Sequence, residues 1–152
     1  MFDLLRAALR GESASSSKSK PNDLQIAVGA LLVEAASRDD VFDAAEGIAI
    51  NRLLAERFQL SAEDTAQLVK AAEEARSNSL ELFGFVRQLI KEMDEAQRIE
   101  VIEMLWEVAY ADGVLDANED AMIRKVAGLL YVSDYARGAA RRRVREKLGL
   151  AD

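Results

Sequence analysis

The sequence predicts an all-α protein, a single helical bundle of about seven helices built around a duplicated helix–turn–helix unit. Three observations carry that prediction. The 152-residue chain has one Pro and 6% aromatic residues, beside abundant Ala, Leu, Glu and Arg, a composition that suits helices and not sheets. Apolar residues recur at three- and four-residue spacing along most of its length, and no stretch alternates cleanly enough for a strand. Finally, Leu24 to Ile50 laid on Gln97 to Ile123 with a constant offset of 73 and no gaps is identical at eleven of twenty-seven positions. Unrelated helical stretches would match at roughly two or three, so a duplication is the simplest explanation.

The elements follow in order. Phe2, Leu4, Leu5, Ala8 and Leu9 make a short N-terminal helix, and Gly11 to Lys20, with no apolar residue larger than Ala14, reads as a flexible linker. This divides the chain into residues 1–20 and a helical domain over 21–152. Asn22 or Asp23 caps the first helix of the domain, which carries Leu24, Val28, Leu31, Leu32 and Ala35 on one face. The second starts at Asp43 and carries Ile50, Leu53, Leu54 and Phe58. The third starts at Ser61, with Leu68 and Val69 inside. Ser79 to Glu92 presents Leu82, Phe83, Val86, Leu89 and Ile90. From Asp94 a fifth helix presents Ile99, Ile102, Leu105, Trp106 and Ala109 and breaks near Asp112-Gly113. A sixth runs from Asp116 through Ile123, Val126, Ala127 and Leu130, and a seventh starts at Ser133 with Tyr135, Val144 and Leu148 set among arginines. Trp106 reads as core, and Met93, Met104 and Met122 as fillers of core gaps.

Composition also excludes chemistry. The chain has no Cys and no His, which removes thiolate and imidazole ligands and every Ser-His or Cys-His nucleophile. Any site must use carboxylates, hydroxyls, Lys, Arg or backbone. A net charge of −7 opposes nucleic acid and anionic membranes. The basic end, Arg137, Arg141, Arg142, Arg143, Arg145 and Lys147, is the one strongly positive segment; the helix dipole and the acidic body of the domain account for it, and no nucleic-acid partner is expected. Met1 to Arg10 lacks a long apolar run and a small-residue cleavage pattern, and no apolar run is long enough for a membrane span, so the expectation is a cytoplasmic protein.

The repeat preserves more than packing. Asp39, Asp43 and Glu46 recur as Asp112, Asp116 and Glu119, although surface and cap positions accept several residue types. These six carboxylates are candidate metal ligands, and an oxygen-only donor set selects a hard divalent cation, Ca²⁺, Mg²⁺ or Mn²⁺. Two carboxylates about 4 Å apart repel by roughly 4 kcal/mol at an effective dielectric near 20, so converging turns would call for a cation, protonation or good solvation. The alternative is local: Asp43/Glu46 and Asp116/Glu119 form two capping boxes, with Asp39 and Asp112 making turn bonds. Glu34 and Glu107 also recur, near helix ends, and are read as solvated.

The second copy, Tyr110-Ala111-Asp112-Gly113-Val114-Leu115-Asp116-Ala117-Asn118-Glu119, with Ile123 and Val126-Ala127-Gly128-Leu129-Leu130 after it, resembles the TerB-like tellurite-resistance family from about Asn22 to the C-terminus. The most specific element is Ala-Asp-Gly followed by an acidic residue at Glu119. The first copy departs from it, with Arg38-Asp39-Asp40 in place of Ala-Asp-Gly. The resemblance implies an all-helical fold, a role in tellurite resistance and related stress responses, and an acidic metal-binding face at Asp112 and Glu119 with Asp39 and Glu46 as the weaker counterpart. The expected function is therefore a stress-response binding or interaction module with protein partners. A metal-dependent enzyme using the same carboxylates is the alternative.

Overall fold

A computed structural model describes residues 20–36, 44–78, 82–111, 113, 115 and 117–150. Over these residues the chain forms seven helices and no strand: α1 (Asp23–Ala36), α2 (Ala44–Phe58), α3 (Ala62–Asn78), α4 (Leu82–Glu92), α5 (Glu95–Ala109), α6 (Ala117–Leu129) and α7 (Asp134–Lys147). The N-terminal helix and linker expected over residues 1–19 lie outside the described residues.

Local chemistry sets most of the helix ends. At α1 the cap is Asn22: its Oδ1 accepts from the Gln25 amide at 2.8 Å, and its own amide donates to Gln25 Oε1 at 3.1 Å. Asp94 and Gln97 repeat the same reciprocal arrangement at α5. The Ser61 and Ser133 hydroxyls accept from the amides of Asp64 and Ala136 at the starts of α3 and α7. Each device satisfies amides that no helical carbonyl reaches. At their other ends α2 and α6 close with Gln59 and Tyr131 at positive φ, and the amides of Leu60 and Val132 donate back to Ala55 and Ala127, satisfying carbonyls of the last turn. Asp94→Ala is therefore expected to cost about 1 kcal/mol, checked by the urea midpoint; Asp94→Asn, which keeps an acceptor at the cap, should lose little of it.

Two helices form the interior. α1 packs against α2, α3, α4, α5 and α6, and α5 against α1, α2, α6 and α7. Their surroundings show in their burial: Ala27 to Ala36 is buried at every position except Glu34, and Val101 to Tyr110 at every position except Glu103. Leu24, Val28, Leu31, Leu32 and Ala35 therefore do not form one inward face with a polar back, because Ala30 and Val33 are buried as well. A helix covered by five neighbours has no side left for solvent. Closest packing falls between α1 and α3, where a Cβ on Gly29 would lie 2.9 Å from that of Ala72. Trp106 is core, 1% exposed, and Met93 and Met104 are buried in the same hydrophobic cluster. On α7 Tyr135 is 81% exposed, and Ala140 and Val144 form the buried stripe. No helix among the described residues is long and apolar enough to cross a membrane.

Candidate functional site

Of the six expected ligands, Glu46 and Glu119 belong to the described residues; Asp39, Asp43, Asp112 and Asp116 lie outside them, and so does any cap that Asp43 or Asp116 makes. Glu46 and Glu119 occupy the third position of α2 and of α6, and both are buried, 3% and 2% exposed. Acidic side chains in a first turn are favoured by the helix dipole, but burial of both goes beyond what a solvated cap needs. Among the described residues no three His, Cys, Asp or Glu side chains form a metal-sized group.

Residues flanking the two acidic turns line one cleft. A cleft of about 380 Å³ opens between the start of α2, the end of α5 and the C-terminal tail, lined by Ala45, Ile48, Ala49, Arg52, Glu107, Tyr110, Ala111, Gly113, Leu148 and Leu150. Ala45 precedes Glu46, and Gly113 follows Asp112. Packing of α2 against α5 creates this juxtaposition, because the end of α5 carries the chain directly into the second acidic turn. Gly113 has φ +87, a conformation that costs a Cβ-bearing residue strain, so the glycine suits the turn after α5.

At the cleft floor stands a carboxylate that the sequence reading set aside. Glu107 is 6% exposed; Arg52 Nη2 donates to its Oε1 at 3.2 Å and Lys147 Nζ to its Oε2 at 2.9 Å. It is thus a buried acid that ties α2 and α7 to α5, and the reading of it as a solvated residue is corrected. Arg52 also meets Glu56 at 3.4 Å, which leaves the floor close to charge balance. The recurrence partner Glu34 is more open and receives Arg76 Nε at 2.7 Å, joining α3 to α1. A recurring Glu at this place was visible in the repeat; its cationic partners were not, because they come from 55 and 40 residues away.

Next to this cleft the arginines of α7 lie over aromatic rings. Arg141 sits 5.7 Å from the Trp106 ring centre and 5.9 Å from that of Tyr110, and Arg145 sits 5.3 Å from Tyr110. The Tyr110 hydroxyl accepts from Arg141 Nε at 2.6 Å and from Arg145 Nη1 at 3.2 Å. Arg143 pairs with Glu103 at 2.6 Å. The basic end thus pairs in part with acids of α5, as its charge pattern suggests, and in part rests on aromatic faces.

No curated protein and no solved structure matches the chain. A family profile does: residues 25–142 match the one described as Tellurite resistance protein TerB. That span runs from the first turn of α1 into α7, through both central helices and both acidic turns. With an all-helical fold and a profile match over most of its length, the chain belongs to the TerB tellurite-resistance family.

Proposed function

We propose that the chain is a binding module of a tellurite-related stress response, working in the cytoplasm with protein partners, and that its two acidic turns hold one divalent cation. The observation that carries this reading is the shared cleft: Ala45 and Gly113, sequence neighbours of the two turns, line the same opening. Asp39, Asp43, Asp112 and Asp116 would supply oxygens, and Ca²⁺, Mg²⁺ or Mn²⁺ is the class such donors accept. Glu46 and Glu119, buried at the starts of α2 and α6, would complete the acidic set. Duplication of the helix–turn–helix unit gives the arrangement a rationale. α1 packs on α2 and α3 as α5 packs on α6 and α7, and the two halves meet through α1 and α5 with α2 against α5 and α6 against α1. Residues 1–20 would then be an appendage to the domain over 21–152.

Titration of the metal-free chain with each cation tests the reading. Once a site saturates, each tenfold rise in free metal adds about 1.4 kcal/mol of stability, or roughly 3–6 °C in Tm for a domain of this size. Asp39→Asn and Asp112→Asn should each weaken that response while the helical signal stays. If the carboxylates are caps alone, Asp116→Ala should cost about 1 kcal/mol equally with and without metal. A Tm indifferent to millimolar cation would eliminate the site.

A further inference from the structure

We propose that the middle of α7 is an anion site for a small phosphate group, free or as a phosphomonoester, held by Arg141, Arg142 and Arg145 over the bare backbone at Gly138. Among the described residues these four line a depression of about 340 Å³. Their spacing explains it. Counting from Gly138, the arginines fall at the third, fourth and seventh positions on, which is one stripe of a helix. Helical side chains lean toward the N-terminus, so Arg141 and Arg142 lean over the turn that contains Gly138. A Cβ there would meet nothing within 4 Å, and packing therefore does not demand the glycine. Glycine inside a helix lowers stability relative to alanine, and an unshielded backbone that a ligand can approach is one use for it.

Preorganisation is the second observation. The Tyr110 hydroxyl accepts from both Arg141 and Arg145, and the Trp106 and Tyr110 rings lie against them, so two guanidinium groups are held side by side from α5. Arg141 bonds through Nε, and neither it nor Arg142 forms an ion pair among the described residues. In a chain of net charge −7, Arg141 and Arg142 thus present planar donors, the geometry that matches phosphate oxygens. The helix dipole accounts for Arg145 and Lys147 in the last turn but not for Arg141 and Arg142 a turn earlier, since its effect fades within a turn. The neighbouring depression along α7 contains Asp120 with Arg124, Arg137 and Arg141; Arg124 engages Asp120 and Arg137 engages Asp134, so the anion belongs on the Gly138–Arg142 side.

The chain holds a single Trp, and it lies beneath Arg141, so Trp106 fluorescence reports occupancy. Sodium phosphate is titrated into the full-length chain at constant ionic strength against chloride, with phenyl phosphate as a second arm. Expected is a saturable change with inorganic phosphate in the millimolar range or below, weakened at least about tenfold by Arg142→Gln, the loss of one charge-assisted hydrogen bond. Gly138→Ala should weaken it similarly while raising Tm, two changes that a purely structural role would not couple. Lys70→Gln on α3 should leave it unchanged. Tighter binding of phenyl phosphate identifies a phosphomonoester as the ligand, and equal or weaker binding identifies free phosphate. Four outcomes overturn the proposal: no saturation, Gly138→Ala binding as wild type, Lys70→Gln weakening binding as much as Arg142→Gln, or duplex DNA binding through Arg142 where phosphate does not saturate. None of them bears on the cation reading, whose residues lie on other elements.

Discussion

Trp106→Ala is expected to lower the unfolding free energy by about 4 kcal/mol, the middle of the range for truncation of a buried aromatic. The indole is 1% exposed within α5, its Nε1 donates to the Arg137 carbonyl on α7 at 3.2 Å, and it stacks with Tyr110 at a ring separation of 6.1 Å. Alanine would forfeit the transfer energy of the ring and leave a cavity between the two helices that meet there. A loss of that size is a large share of the roughly 5–15 kcal/mol that holds a domain folded. Trp106→Phe separates the contributions: it keeps most of the apolar area and loses the hydrogen bond, so about 1 kcal/mol is expected. Urea midpoints followed by circular dichroism measure both. A cost below about 1.5 kcal/mol for the alanine variant would mean that the interior closes around the gap, contrary to the low end of the range for such truncations.

Helix number and most helix starts were legible because their causes are local. Asn22, Ser61, Asp94 and Ser133 act within three residues of themselves, and a reader of the sequence sees both partners at once. Burial around the whole of α1 was harder to read. Its run from Ile26 to Val33 contains no charged residue, yet periodicity asks which face is apolar and not how many neighbours a helix has.

At the site, recurrence was visible and the long-range partners of the recurring residues were not. The repeat singled out Glu46 and Glu119, and both are buried at equivalent places, 3% and 2% exposed. Glu107 recurred too, but a lone Glu near a helix end is usually solvated, and nothing near it in sequence announces Arg52 and Lys147. Long-range placement likewise decides the Tyr110 hydroxyl's two arginines, 31 and 35 residues away. A charge run in the sequence shows how many guanidinium groups there are; only the packing of α7 on α5 shows which of them are held together.

Gly29→Val is expected to destabilise the chain by about 3 kcal/mol or more, because α1 and α3 approach more closely there than a side chain allows. Even a single Cβ would lie 2.9 Å from the Cβ of Ala72, with Leu54 Cδ1 at 3.7 Å. Neither neighbour offers easy relief: the Ala72 methyl is fixed to the α3 backbone, and Leu54 is fully buried. Gly29→Ala is the graded step. Overpacking costs about 1–3 kcal/mol, and the better helix propensity of alanine returns about 1 kcal/mol, so a net loss of roughly 1 kcal/mol remains. Gly47 provides the control. It lies in α2, and a Cβ there would meet nothing within 4 Å, so the same substitution should raise stability by about 1 kcal/mol. One chemical change thus acquires opposite signs at two helix-interior glycines, and the difference isolates the α1–α3 contact from intrinsic propensity. Adding Ala72→Gly to Gly29→Ala should relieve the clash but introduce a new interior glycine, giving a double-mutant coupling of the order of 1 kcal/mol or more. Equal urea midpoint shifts for Gly29→Ala and Gly47→Ala would show that the two helices separate without cost, and that the glycine is not what sets their distance.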